Sequence, residues 1–144
     1  MTVAAITAVL GGRQTLKRKV DSSSDLTRLT REGLPVDTLT LLARDFSVER
    51  KTLARSVGIS DRTLSRRIEK AQRLSAEESD RVVRMARVLA MAADTFGTKE
   101  KASLWLQSPN AVLEGQTPFS LLDTDTGVQS VETVLGRIAW GIYS

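Results

Sequence analysis

The sequence predicts an all-α protein, and three observations carry that expectation. Strand signals are nearly absent: no stretch alternates β-branched or aromatic with polar residues, and the hairpin dipeptides Asn-Gly and Asp-Gly do not occur. Apolar residues instead recur at three- and four-residue steps along almost the whole chain. Ser, Thr or Pro stands at the head of most of these stretches and Gly at the foot of several, the asymmetry that starts and stops helices.

Taken in order, a short helix is expected over residues 3–10, closed by Gly11-Gly12. A second segment over about 24–32 comes after the run Ser22-Ser23-Ser24, the nearest thing to a linker, and stops at Gly33. Pro35 suits the first turn of a helix reaching Phe46, because its missing N–H costs nothing there. Ser47 is expected to cap the next helix, through about Ser56, and Ser60 the one after, to about residue 70. Ser75, with Glu78 three residues on, has the form of a capping box and opens a long amphipathic helix. Its apolar stripe is Val82, Met85, Ala86, Leu89, Ala93 and Phe96, and Gly97 ends it. Thr98 caps a shorter helix to Leu106, Ser108-Pro109-Asn110 turns the chain, and Thr117-Pro118 begins a short helical piece. The last helix starts near Thr126 and sets Val128, Val131, Leu135, Ile138 and Ile142 on one face. Trp105, amid Ala102, Leu104 and Leu106, is expected in the core.

Composition narrows the function. The 144 residues are 41% apolar, 26% charged and only 4% aromatic, enough for one compact domain or two very small ones around an aliphatic core. With no Cys and no His, thiolate chemistry, Cys-based zinc sites and the usual general base near neutral pH are excluded; the chain is not expected to be an enzyme, or to carry a cofactor or metal. The longest apolar run, Val88–Ala93, is far too short to cross a bilayer, and the basic cluster Lys17-Arg18-Lys19 comes after rather than before the apolar start, so a soluble cytoplasmic protein is expected. Charge is unevenly placed: residues 1–74 hold 15 basic and 8 acidic side chains, residues 75–144 hold 6 and 9, giving +7 and −3. A polyanion partner suits the front half and some other task the back half.

The front half supplies a mechanism. In Leu53-Ala54-Arg55-Ser56-Val57-Gly58-Ile59-Ser60-Asp61-Arg62-Thr63-Leu64-Ser65-Arg66-Arg67-Ile68, Ala54 is small where a second helix crosses, Gly58 permits a tight turn, and Ser60 caps that second helix. Ile59, Leu64 and Ile68 are spaced to pin it onto the first. The pattern resembles the helix-turn-helix of bacterial repressors. Arg62 and Arg66 fall on the side opposite Leu64 and Ile68, flanked by Ser65, where they are candidates to read guanine edges in a major groove. Asp61 suits the helix N-terminus and is a candidate acceptor for a cytosine amino group; Lys51, Thr52, Ser60 and Arg67 are better placed for phosphates. On an arbitrary helix the two arginines would be a solvated face, and some folds of this kind bind protein; the turn and cap favour DNA. A solvated face is preferred over added phosphate contacts for Arg13, Lys17, Arg18 and Lys19, and over a second DNA contact for the stripe Arg81, Arg84, Arg87.

The back half carries a second resemblance. Trp105-Leu106-x-Ser108-Pro109-Asn110-x-x-Leu113-x-Gly115-x-x-Pro118-Phe119-x-Leu121-Leu122-Asp123-Thr124, with Gly127, Val131, Leu135, Arg137, Ile138 and Gly141 after it, resembles the C-terminal toxin-binding domain of the Xre/MbcA/ParS antitoxin family. Leu10-Gly11-Gly12, Glu32-Gly33-Leu34-Pro35 and the helix-turn-helix resemble that family's N-terminal half, so the likeness covers nearly the whole chain. It implies a DNA-binding domain over residues 1–74 and a toxin-binding and dimerisation domain over 75–144, in a type II toxin–antitoxin module. The implied partners are a RES-domain toxin, which attacks NAD⁺, and operator DNA, with a homodimer repressing its own operon.

Neutralising such a toxin requires a surface that covers its cleft. The last helix is the candidate, because it ends in Trp140-Gly141-Ile142-Tyr143-Ser144 with no polar tail to keep it solvated, and Arg137 could meet acceptors in a site built for an anionic dinucleotide. The other reading is that Trp140 and Ile142 finish the chain's own core or a dimer seam. Asp125-Thr126-Gly127 matches an aspartic-protease triplet and Asp123-x-Asp125 part of a calcium loop; the first lacks its β fold, and in the second Val134 occupies the place of the bidentate Glu, so helix capping explains both. Two alternatives stand beside the antitoxin: a stand-alone transcriptional regulator with a dimerising or ligand-sensing back half, and a partitioning or polar-localisation adaptor that does not bind DNA.

Overall fold

A computed structural model describes residues 2–141 and shows nine α-helices among them: α1 Val3–Val9, α2 Gly12–Leu16, α3 Ser23–Glu32, α4 Asp37–Phe46, α5 Arg50–Ser56, α6 Asp61–Glu69, α7 Ala76–Phe96, α8 Lys99–Leu106 and α9 Asp125–Ala139. Two single 3-10 turns, Ala111–Leu113 and Phe119–Leu121, join α8 to α9, and no strand occurs among the described residues beyond one isolated bridge between Pro35 and Arg73. No helix there is long and apolar enough to cross a membrane.

Several of these helices are too short to persist alone, so packing must hold them. The organiser is α7, 21 residues long, against which α1, α3, α4, α8 and α9 all pack. Its start is fixed by the capping box the sequence predicts: the Ser75 hydroxyl accepts from the Glu78 amide at 3.1 Å, and the Glu78 carboxylate accepts in return from the Ser75 amide at 2.8 Å. Val82, Met85, Ala86 and Leu89 are all fully buried, each large one contributing about 1.5–3 kcal/mol. The apolar cluster runs without a break from Ile6 to Leu135. Phe46 of α4 meets Phe119 at 5.3 Å between ring centroids, and Gln107 donates to the Phe46 carbonyl at 2.9 Å, so front and back halves share one interior.

Local structure departs from the sequence expectation at five places. The chain does not rest after Gly11-Gly12: Gly11, at φ 97°, redirects it, and α2 forms because Leu16 is drawn fully inside. Ser47 does not cap α5. It ends α4 in the left-handed conformation, its hydroxyl accepts from Ser103 of α8 at 2.8 Å, and Glu49 heads α5 with no side-chain cap. Pro35 lies ahead of α4, in the turn whose carbonyl accepts from the Thr38 amide at 3.1 Å. Trp105 is half-buried, with its ring 5.4 Å from that of Phe96. The arginine stripe of α7 is not a solvated face. Arg81 donates to the Val57 carbonyl at 3.2 Å, Arg84 to Asp125 at 3.2 Å, and Arg87 to both oxygens of Glu132 at 2.8 and 3.2 Å. Periodicity placed the three on one side; α9 and the α5–α6 turn, arriving from elsewhere in the chain, cover it.

Candidate functional sites

The first site is built on α5, the turn Val57–Ser60 and α6. Leu53, Ala54, Val57 and Ile59 are buried to 2% exposure or less and Leu64 to 5%, so Ile59 and Leu64 lock the two helices as their spacing predicts, while Ile68 is only partly buried against the same cluster. The turn is tight: the Gly58 amide bonds to the Arg55 carbonyl at 3.0 Å and the Ile59 amide to the Ala54 carbonyl at 2.9 Å. Gly58 sits at φ 84°, and a Cβ there would lie 2.8 Å from a guanidinium nitrogen of Arg81, so the arginine of α7 closes over the turn. Ser60 caps α6, its hydroxyl accepting from the Thr63 amide at 3.2 Å.

With the inner face locked, the outer face is defined. Arg62, Ser65 and Arg66 are exposed on α6, and neither guanidinium has an ion pair or hydrogen bond among the described residues. Two like charges four residues apart cost a free helix a few tenths of a kcal/mol, a cost that a polyanion would reverse. A groove lined by Arg50, Lys51, Asp61 and Ser65 lies between the start of α5 and α6. Lys51 is exposed, 3.8 Å from Glu49; Thr52 is half-buried and its carbonyl accepts from the Ser56 hydroxyl at 3.2 Å. The Ser60 hydroxyl is engaged in capping.

The remaining two candidates are held by partners. Arg67 pairs with Glu78 where both side chains are mostly covered, 16% and 13% exposed, and so joins α6 to the first turn of α7. Asp61 is gripped by Arg55 through both carboxylate oxygens, at 2.9 and 2.5 Å. Sequence reasoning missed Arg55 and Arg81. The signal for Arg55 was an arginine in the last turn of one helix and a carboxylate in the first turn of the next; nothing local marks Arg81.

The Glu78 carboxyl titrates below its ordinary value of 4.5: burial alone would raise it, but the Ser75 amide and the Arg67 guanidinium together outweigh burial. A depressed carboxylate stabilises the fold above its unfolded pKa and ceases to as pH falls through the folded one. Lowering the pH through the acid range below about 4.5 is therefore expected to cost stability. Glu78→Gln should be less stable at neutral pH and show a shallower acid dependence in thermal melts; an unchanged acid slope would contradict the assignment.

The second site is at the far end of the chain. Thr124 caps α9 by accepting from the Gly127 amide at 3.0 Å, and Val128, Val131, Val134 and Leu135 bury its inner face. The outer face is short and polar (Thr126, Gln129, Ser130, Thr133) until it reaches Arg137, which is exposed, and Trp140, which is 85% exposed. Trp140 is the most exposed large apolar side chain among the described residues; Leu104 at 71% and Val112 at 50% come next. Gly141 is also exposed, while Ile142, Tyr143 and Ser144 lie outside the described residues.

Together these features define an all-helical helix-turn-helix protein with an appended helical unit that displays apolar surface. Residues 25–87 match the model of the Antitoxin Xre-like helix-turn-helix domain, and residues 91–141 match that of the Antitoxin Xre/MbcA/ParS C-terminal toxin-binding domain. The two matched spans meet inside α7. The chain is 36% identical to an Antitoxin Xre of Photorhabdus laumondii over 124 residues, covering 85% of this chain and 84% of that one. It is likewise 36% identical over 113 residues to an Antitoxin Xre of Yersinia enterocolitica, covering 78% and 76%. Its fold resembles a chain in the crystal structure of the M. tuberculosis MbcT-MbcA toxin-antitoxin complex, with a TM-score of 0.54 at 24% identity, over 76% of this chain and 96% of that one. The chain belongs to the Xre/MbcA/ParS antitoxin family. It is a type II antitoxin with a helix-turn-helix domain and a toxin-binding domain.

Proposed function

We propose that this antitoxin neutralises a RES-type, NAD⁺-degrading toxin by laying the end of α9 and the tail beyond it over the toxin's active cleft. As a homodimer it represses its own operon through α6, and it acts by binding, with no catalysis of its own. The observation that carries the first part is Trp140: an indole 85% exposed at the end of a well-anchored helix, inside the span matched to a toxin-binding domain. Leaving that much apolar surface in water has no structural benefit, and Trp is the residue type most enriched among binding hot spots. Arg137, Gly141, Ile142, Tyr143 and Ser144 complete the proposed contact. Repression is supported by the exposed Arg62 and Arg66 on the outer face of α6, free of ion pairs among the described residues, with Lys51, Thr52, Ser60, Asp61, Ser65 and Arg67 around them.

The first test is purification of the chain with the product of the adjacent reading frame. A stable complex in which NAD⁺ breakdown stops is expected; operator binding with no toxic neighbour would favour a stand-alone regulator. For repression, a reporter driven by the upstream region of the gene should be silenced by the wild-type chain. Arg62→Ala with Arg66→Ala should release it, each arginine being worth about 1–3 kcal/mol of base discrimination, while leaving neutralisation intact. Silencing that survives the double substitution would instead favour contacts elsewhere or the adaptor reading.

A further inference from the structure

Asp61 poses a problem for a DNA-binding helix. It is the first residue of α6, the end that enters a major groove in helix-turn-helix complexes, and a bare carboxylate there faces two rows of phosphates. In the structure the carboxylate is not bare. Arg55, at the end of α5, lays its guanidinium flat against it, Nε donating to Oδ1 at 2.9 Å and Nη2 to Oδ2 at 2.5 Å. Both side chains are more than half exposed, 58% and 51%, and water screens exposed pairs of this kind so that they add little to stability. The geometry therefore has little to do for the fold itself.

It has more to do for a ligand. The Nε–H and one Nη2–H of the guanidinium are spent on Asp61, so the end-on edge, Nη1 with the second Nη2 hydrogen, is left to donate as a pair. The carboxylate also fixes the plane of that free edge, removing the rotamer freedom an exposed arginine would otherwise lose on binding. Asp61 lines the groove that also holds Arg50, Lys51 and Ser65, and Arg55, bonded to it, is exposed, as are Arg62 and Arg66 on the same helix as Asp61. We infer that Arg55 and Asp61 act as one unit in which the carboxylate orients the arginine toward paired oxygen or nitrogen acceptors of duplex DNA, Asp61 being a positioning residue and Arg55 the contact. This rests on the reading of α6 as a DNA-binding helix and adds Arg55 to it. The acceptors are phosphate oxygens or the O6/N7 edge of guanine, which present the same chemistry.

The test is binding of the full chain to two labelled duplexes of equal length, one from upstream of its own gene and one with that sequence scrambled. Removing a negative charge from a DNA-binding face ordinarily tightens binding, whereas here Asp61→Asn is expected to weaken it about 5- to 100-fold, the worth of one bidentate contact. Arg55→Ala should weaken binding by a similar factor, the double variant should be no worse than Arg55→Ala alone, and Arg55→Lys, which keeps the charge and loses the fork, should not restore it. Loss on both duplexes assigns the contact to phosphate; loss confined to the upstream sequence assigns it to a base edge. An Asp61→Asn chain that binds as tightly as wild type or tighter, or losses that add in the double variant, would overturn the unit. If wild type binds neither duplex, the DNA reading of α6 fails and the role of the pair fails with it; if wild type binds and Asp61→Asn is neutral, only the pair fails.

Discussion

Replacing Trp140 with alanine is expected to leave the fold intact and to weaken toxin binding by about 2–4 kcal/mol, roughly 30- to 1,000-fold. The two halves of that expectation have separate causes. At 85% exposure the indole contributes almost no burial to the folded chain, and its backbone amide still closes α9 by bonding to the Gly136 carbonyl at 3.1 Å, which alanine preserves. Stability should therefore shift by no more than about 0.5 kcal/mol. Binding is different, because covering an indole removes a large apolar area from water, and anchors of this kind dominate interfaces. The check is calorimetric titration against the toxin beside a thermal melt of the free chain. A stability loss larger than the binding loss would mean that Trp140 serves the antitoxin's own core or a dimer seam.

Gly127→Ala is expected to do the reverse, damaging the fold first and every function through it. A Cβ on Gly127 would lie 1.8 Å from the Leu121 carbonyl oxygen, 2.8 Å from its carbon and 2.9 Å from the Thr124 hydroxyl. The obstacle is mainly backbone, so no side-chain rotation relieves it. The first turn of α9 must lift away from the 3-10 turn Phe119–Leu121, loosening the Thr124 cap, worth about 1 kcal/mol, and the packing of Val128 and Val131 beneath it. A loss of about 3 kcal/mol or more is expected, lowering the melting midpoint by roughly 10 °C. Denaturant unfolding of the two chains measures it directly. A variant as stable as wild type would show that α9 can be seated another way, and the placement of Trp140 would then need revision. Because one apolar cluster spans both halves, DNA binding should fall along with toxin binding in this variant, whereas Trp140→Ala separates them.

Local features were the legible part of the sequence. The helix-turn-helix could be read because Ala54, Gly58, Ile59, Ser60 and Leu64 do their work within eleven residues of one another, and Ser75 with Glu78 announced α7 for the same reason. The back half was legible as a family resemblance rather than as physics, since the run from Trp105 to Gly141 is distinctive but its parts meet only in three dimensions. Contact between distant segments could not be read. Arg67 has the same neighbours in sequence whether it faces DNA or Glu78, and Ser47 looks like an N-cap until Ser103 arrives to bond it. Arg84 and Arg87 are a charged stripe on an isolated helix and become a joint to α9 only once Asp125 and Glu132 lie against them. Conversely, the exposure of Arg62, Arg66 and Trp140 depends on which segments fail to pack against them, and that too is settled only by the whole fold.

The proposal that one chain reads DNA with one surface and silences a toxin with another is best checked by the structure of the antitoxin bound to its toxin. In that complex Trp140 is expected to be buried in the toxin's active cleft, with the residues beyond it filling that cleft and the face bearing Arg62 and Arg66 left open. A complex in which Trp140 points into solvent away from the cleft, or in which the toxin sits on α6, would contradict it.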